Sequence, residues 1–527
     1  MKYKPVKHQF PSVMLKERLL ESAFQKFSTD GYIATNPDTI TKPLGVSRVT
    51  FYSYFKSKND ILLYLVKDIF EELSGLLKDK KAHKAWLNAD SIEKFEEPLN
   101  YIVDILLGYS GIFGAFIQGM MGDRELLGYF SKISERFSKM FRPKIISLQK
   151  SGRYQGCNAT VLSQIMTTTF FMSIFSFSIH IIGGDKKSLA RTISILFFSS
   201  FNMNEKNIIS LNRNQPKSEK GRSTRRIILE TARNEFEHNG SKGITIAHIA
   251  EKAGLSRGTV YKYFKKKEDI KNGLKKEFPG FLNGSSLPDS LNDSHPDTKN
   301  LETGKGQLHH AGNGSATTDK SILTRKNIIS AAIQEFSEKG YFESTIENIA
   351  KRAGLSRSTL YLYFKKKDDL IIALLQDMLS ILNPTDSFSL LDDHDTTSID
   401  DTFRIVYMVV EIYENFATPN WAILQGSFHS KELFDNFKAL HDLFGEALKK
   451  KIDEIMKEGL CLDVESDIAA RVIMACLSYS STMHNAGIIK CTRNEMALNL
   501  TKFLFSFFNF NTSLKADARR LKGTKSK

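Results

Sequence analysis

One block of 14 residues occurs three times in this chain, and that constrains the fold more than any compositional number does. From glycine to lysine the copies read GVSRVTFYSYFKSK (45–58), GLSRGTVYKYFKKK (254–267) and GLSRSTLYLYFKKK (354–367), with nine of 14 positions identical. Upstream, Gly31, Gly240 and Gly340 each precede the first glycine of a block by 14 residues. Before those, Leu19–Ala23–Phe27, Ile228–Ala232–Phe236 and Ile328–Ala332–Phe336 are spaced by four, which puts each trio on one face of a helix. A glycine one turn beyond the last apolar residue is a helix C-cap signal, since glycine enters the left-handed region without a Cβ clash.

A second repeat lies outside these blocks. Gln118-Gly119, Glu125-Leu126, Phe130, Phe137, Ile145 and Gly152 recur 307 residues later as Gln425-Gly426, Glu432-Leu433, Phe437, Phe444, Ile452 and Gly459. Both regions carry helical periodicity and few strand signals. The expected fold class is all-α, with three helix-turn-helix heads and two helical-bundle bodies. The expected boundaries are a first head at 1–66, a body at 67–205, a linker at 206–221 and a second head at 222–277. A flexible linker rich in Gly, Ser, Asn, Asp and Pro follows at 278–320. A third head at 321–376, a second body at 377–515 and a basic tail at 516–527 complete the chain.

The second copy shows the chemistry of a head. Thr245 suits the N-cap of a short helix ending near Ala253, Gly254 turns the chain, and Ser256 caps a second helix. Val260 and Phe264 are four apart and face inward. The outer face carries Arg257, Thr259, Tyr261 and Tyr263, followed by Lys265, Lys266 and Lys267. Arginine suits guanine edges or phosphates, and Thr and Tyr hydroxyls suit phosphate oxygens. Over 222–277 there are 14 Lys and Arg against seven Asp and Glu, a net of +7 and almost half of the chain's +15. The same aromatics and lysines would also suit a core and a solvated helix end. Three copies with shared spacing favour an interface.

The capped helix, the pattern A-G-[LV]-S-R-x-T-x-Y-x-Y-F and the K-x-K before an acidic residue resemble the TetR family of regulators. The resemblance covers all three heads. It implies a second helix in the major groove of double-stranded DNA, with Arg257 and Gly258 near bases and Thr259, Tyr261, Tyr263 and Lys267 on phosphates. Thr245 would cap the preceding helix and touch the backbone, and Thr345 matches it in the third head. The equivalent residues are Arg357, Ser358, Thr359, Tyr361, Tyr363 and Lys367, and in the first head Arg48, Val49, Thr50, Tyr52, Tyr54 and Lys58. The first head departs from the pattern. Asn36-Pro37 replaces Thr-Ile, and Pro43 falls inside the supporting helix, where it removes a hydrogen bond and shortens the helix. Two groove-facing positions differ among heads: Val49, Gly258 and Ser358, then Ser53, Lys262 and Leu362. Different base preferences are expected to follow.

The resemblance also implies that each body holds a small-molecule pocket and that its last two helices, about 161–203 and 466–508, pair with a partner. With two such pairs in one chain, an intrachain pseudo-dimer is expected, the alternative being a homodimer. An apolar effector is the implied ligand, with Trp86 and Trp421 as candidate lining residues, and the implied role is repression.

Other classes fit less well. Cys157, Cys461, Cys476 and Cys491 are too scattered for a zinc site or disulfide framework. No phosphate loop, dinucleotide loop or GxSxG is present. No cofactor, metal or enzyme activity is therefore expected. Asp392-Asp393-His394-Asp395 reads as solvated loop. MKYKPVKHQF lacks the apolar core of a signal peptide, so the expected location is cytoplasmic. Ile165–Ile182 is long enough for a membrane span, but its Thr and Ser residues also suit a buried interface helix. A membrane-associated DNA-binding regulator, or an interaction scaffold with decayed heads, is the alternative function.

Overall fold

The computed structural model describes residues 11–76, 80–120, 122–202, 228–229, 231–232, 235, 245–253, 255–277, 319–382, 399–415, 417–428 and 430–508. Among these the only regular elements are helices, as an all-α class requires. The chain divides into two compact units, Met1–Asn207 with Leu308–Lys527, and Ile208–Gln307. The expected linker at 278–320 is outside the described residues except for its last two, and the tail at 516–527 is wholly outside.

In the larger unit the first head consists of α1 (Pro11–Ala34), α2 (Pro37–Thr41) with a 3₁₀ turn (Lys42–Leu44), and α3 (Arg48–Tyr52). The first body follows as α4 (Lys58–Leu76), α5 (Lys80–Leu87), α6 (Ile92–Gly108), α7 (Ser110–Met120), α8 (Arg124–Lys150), α9 (Ala159–Ser178) and α10 (Lys186–Asn202). The smaller unit contributes α11 (Ile246–Lys252), α12 (Arg257–Tyr263) and α13 (Lys267–Glu277). The larger unit resumes with α14 (Asp319–Glu343), α15 (Ile346–Arg352), α16 (Arg357–Tyr363) and α17 (Lys367–Leu382). It ends with α18 (Ile399–Asn415), α19 (Ala417–Ser427), α20 (Lys431–Lys457), α21 (Ser466–Asn485) and α22 (Arg493–Phe508).

The apolar trios behave as their spacing predicts. Leu19, Ala23 and Phe27 are fully buried, as are Ile328 and Ala332 with Phe336 close behind. In the smaller unit Ile228 and Ala232 are buried with Ile249, Val260 and Phe264, while Phe236 lies outside the described residues. Pro43 has the expected effect: α2 stops at Thr41 and tightens into the 3₁₀ turn, whereas α11 and α15 each run seven residues.

The two bodies meet through α9, α10, α21 and α22. Phe197 stacks on Phe503 with ring centroids 5.8 Å apart, and Ser200 and Ser506 share a hydrogen bond of 3.0 Å. Two further contacts are related by the 307-residue repeat. Gln164 Nε2 donates to the Ile488 carbonyl at 3.5 Å, and Arg471, its equivalent, donates from Nη1 to the Ile181 carbonyl at 3.2 Å. Residue i touching j while the equivalent of i touches the equivalent of j is the signature of a two-fold interface.

Helix α9 has a mean hydropathy of 1.3 over its most apolar window and the length to cross a membrane, yet 89% of that window is buried inside the protein. Two of its hydroxyls bond back to their own helix, Thr167 to the Ser163 carbonyl and Thr169 to that of Ile165. Packing by α8, α21 and α22 accounts for its apolarity without a bilayer.

Phe503 is fully buried in this bundle. Replacing it with Ala is expected to cost about 3–5 kcal/mol, measured by urea unfolding followed by circular dichroism. A loss below about 1 kcal/mol would mean that the four helices do not pack as described.

Candidate nucleic-acid interface

Each head ends in a short capped helix. Asn36 forms a capping box with Thr39, accepting from its amide at 3.0 Å and donating its own amide to the Thr39 hydroxyl. Thr245 accepts from the His248 amide at 3.2 Å and Thr345 from the Asn348 amide at 3.1 Å. Gly45 (φ +65°) and Gly354 (φ +67°) make the turn in the left-handed region, while Gly254 lies outside the described residues. Ser47, Ser256 and Ser356 then cap α3, α12 and α16 by accepting from the amides of Thr50, Thr259 and Thr359. The three threonine hydroxyls also hydrogen-bond to those serines, at 3.0, 2.8 and 2.8 Å.

The candidate residues separate by position. Arg48, Val49 and Tyr52 are exposed on the first head, Arg257, Gly258 and Tyr261 on the second, and Arg357, Ser358 and Tyr361 on the third. Thr50, Thr259 and Thr359 are half-buried. Tyr54, Tyr263 and Tyr363 are half-buried too, with their rings against the cores. Phe51, Val260 and Leu360 on the opposite side are buried. One face of each helix therefore holds the head together and the other presents hydroxyls and a guanidinium.

The two outer heads, first and third, hold that guanidinium in place. Arg48 donates to the Tyr52 hydroxyl at 3.2 Å and lies 3.6 Å from Asp38. Arg357 donates to the Tyr361 hydroxyl at 3.3 Å and pairs with Glu347 at 2.7 Å. The tyrosine hydroxyl and the carboxylate raise the pKa of each arginine. Ala247 stands at the equivalent place in the middle head, so Arg257 has no such carboxylate.

Two lysines of the motif also bond within their own heads. Lys58 and Lys367 are half-buried, beside the last carbonyls of α1 and α14. Lys58 Nζ donates to the Tyr32 carbonyl at 3.0 Å and sits 3.9 Å from the Tyr32 ring centroid. Lys367 Nζ donates to the carbonyls of Tyr341, Phe342 and Ser344 and sits 4.0 Å from the Tyr341 ring. Burial lowers the pKa of both. Lys267 is also half-buried. The acidic residue after K-x-K closes the turn ahead of the next helix. Asp60, Asp269 and Asp369 accept there from the amides of Lys56, Lys266 and Lys365.

The same region reveals residues that the motif alone does not single out. Gln118 Oε1 accepts from the Tyr32 amide at 2.8 Å, and Gln425 Oε1 from the Tyr341 amide at 2.6 Å. Gly31 (φ +73°) and Gly340 (φ +72°) admit these amides; a Cβ on Gly31 would lie 2.6 Å from Gln118 Oε1. Gly119 and Gly426 let the rings of Tyr32 and Tyr341 lie flush, since a Cβ there would meet the rings and a leucine at once. The Tyr32 hydroxyl donates to Asn59 at 2.6 Å, and burial pushes its pKa up to about 12. The Tyr341 hydroxyl donates to Asp368, and burial raises its pKa first, the carboxylate second. The body repeat contained this signal, because Gln118-Gly119 and Gln425-Gly426 are part of it.

In the first body Trp86 donates from Nε1 to the Phe95 carbonyl at 2.7 Å and lines an apolar cavity of about 20 Å³ with Leu99, Ile102, Phe137, Phe170 and Phe171. That is roughly the space for one water. Trp421 is half-buried against the core of the second body. Asp392–Asp395 lies outside the described residues.

Lys367→Met is expected to lower stability by about 1–3 kcal/mol by leaving carbonyls without a donor, whereas Arg357→Ala, at an exposed position, changes it by less than about 0.5 kcal/mol. Thermal unfolding of the two variants reads the difference. Equal and negligible shifts would return Lys367 to the surface.

The family model described as "Bacterial regulatory proteins, tetR family" matches residues 19–65, 228–272 and 328–374. The fatty acid metabolism regulator protein of Bacillus subtilis is 46% identical over 50 residues, 10% of this chain and 26% of that protein. The HTH-type transcriptional regulator YdgC of the same organism is 27% identical over 141 residues, 27% of this chain and 66% of that protein. The chain thus spans about a quarter of the length of one relative and just under two thirds of the other. A solved structure of the fatty acid degradation regulator FadR from Bacillus halodurans matches 34% of the chain and 93% of its own, at 22% identity and a TM-score of 0.28. All three helix-turn-helix heads of this chain match the model of the tetR family of bacterial regulatory proteins.

Proposed function

We propose that the chain is a sequence-specific DNA-binding transcriptional regulator, acting as a repressor, whose two bodies pair within one polypeptide. The observation that carries it is the repetition, in three heads, of one outward set on a short capped helix: Arg48, Thr50 and Tyr52; Arg257, Thr259 and Tyr261; Arg357, Thr359 and Tyr361. An exposed arginine and tyrosine are not needed to hold a head together. They are useful where a helix enters the major groove, the arginine at base edges and the hydroxyls at phosphates.

The two-fold contacts of the bundle support the pairing. They leave the first and third heads to take two half-sites, about 34–36 Å apart for one turn of DNA. The middle head, joined through the segments at 206–221 and 278–320, adds a third contact at high effective concentration. Thr50, Tyr52, Tyr54 and their counterparts hold backbone; Arg48, Arg257 and Arg357 read bases.

A small apolar effector in the bodies is the proposed signal, with the Trp86 cavity as its entry point after expansion. Such a ligand acts by binding one head spacing better than another. The same reading puts the protein in the cytoplasm and assigns it no catalytic step.

The test is retention of fragmented genomic DNA by the purified chain at two salt concentrations, followed by sequencing. Discrete sites with two or three spaced half-sites, weakening as salt rises, are expected. Tyr361→Phe should weaken all sites alike, and Arg357→Ala should relax one base position by about 1–3 kcal/mol. Sequence-independent retention, or none, would overturn the proposal.

A further inference from the structure

Two side chains on the outward helices do not suit a surface in water. Val49 on α3 and Leu362 on α16 are each 78% exposed, more than any other large apolar residue among those described. They occupy different places in the repeat. Val49 is equivalent to Gly258 and Ser358, and Leu362 to Ser53 and Lys262. The two places are four residues apart and share a helical face. Each outer head thus pairs one apolar with one small polar residue on that face, in opposite order: Val49 then Ser53 on the first, Ser358 then Leu362 on the third.

The major groove offers one apolar group, the C5-methyl of thymine. Beside exposed arginines and hydroxyls that draw the helix toward phosphates, that methyl is the occupant these side chains fit. Resting on the DNA-binding reading above, we infer that Val49 and Leu362 are thymine-reading residues, and that the chain recognises a non-palindromic site with its thymines at non-equivalent positions in the two half-sites. Four residues of helix rise about 6 Å, so the two thymines are displaced by roughly one to two base-pair steps relative to symmetry. A homodimer presents identical heads and favours palindromes; two unlike heads on one chain do not require a palindrome.

The experiment uses the full chain. A duplex is selected from a random-sequence library, then resynthesised with deoxyuridine replacing each thymine in turn, which removes only the methyl. One methyl in each half-site should matter, its loss weakening binding about three- to fivefold. The first effect should vanish in Val49→Ala and the second in Leu362→Ala, each variant leaving the other effect intact. Both residues are exposed, so neither variant endangers the fold. A palindromic selected site, or methyl effects that persist unchanged in both variants, would overturn this inference while leaving DNA binding in place. If selection enriches no sequence at all, the inference falls together with the reading beneath it.

Discussion

The larger unit depends on the four-helix contact in which α9 and α10 bury their apolar surface against α21 and α22. Most of the residues of these helices are buried. Buried faces of this breadth need a partner, and the chain supplies it to itself. Several buried hydroxyls along the contact, such as Thr169, Thr482 and Thr501, return their hydrogen bonds to their own helices, and Ser200 and Ser506 pair across it. The 307-residue repeat supplies two similar surfaces, and the paired contacts of Gln164 and Arg471 show that they are used in a two-fold manner.

A second constraint fastens each outer head to its body. The left-handed glycine, Gly31 or Gly340, opens space for a glutamine that takes the next amide, and a lysine closes the helix end beneath. Tyr32 and Tyr341 sit at the centre of the two joints. The middle head has Ser241 at that place and no body following it. The joint is therefore a property of heads that carry bodies. The glutamines on α7 and α19 thus tie head to body through one hydrogen bond and a close ring contact.

Much of this was legible in the residues. The three capped helices, the buried trios and the shortening at Pro43 follow from spacing and from the chemistry of single residue types, which act locally. The pairing of the bodies followed from repetition. The internal bonds of two lysines were not legible: Lys58 and Lys367 stand in a basic run, and nothing local reveals that they meet carbonyls about 25 residues earlier. Gln118 and Gln425 were visible as repeated positions, but what they hold depends on contacts 86 and 84 residues away in sequence. The carboxylates beside Arg48 and Arg357 went unread because they lie on the preceding helix, brought close only by the turn.

That one chain supplies both halves of the bundle and both outer heads is tested most directly by the mass of the full chain in solution. Sedimentation equilibrium across a range of micromolar concentrations gives that mass. A single species at 59.7 kDa is expected, because the apolar faces of α9, α10, α21 and α22 are already covered. A species of twice that mass that persists on dilution would contradict this, and would put the pairing of the bodies between chains.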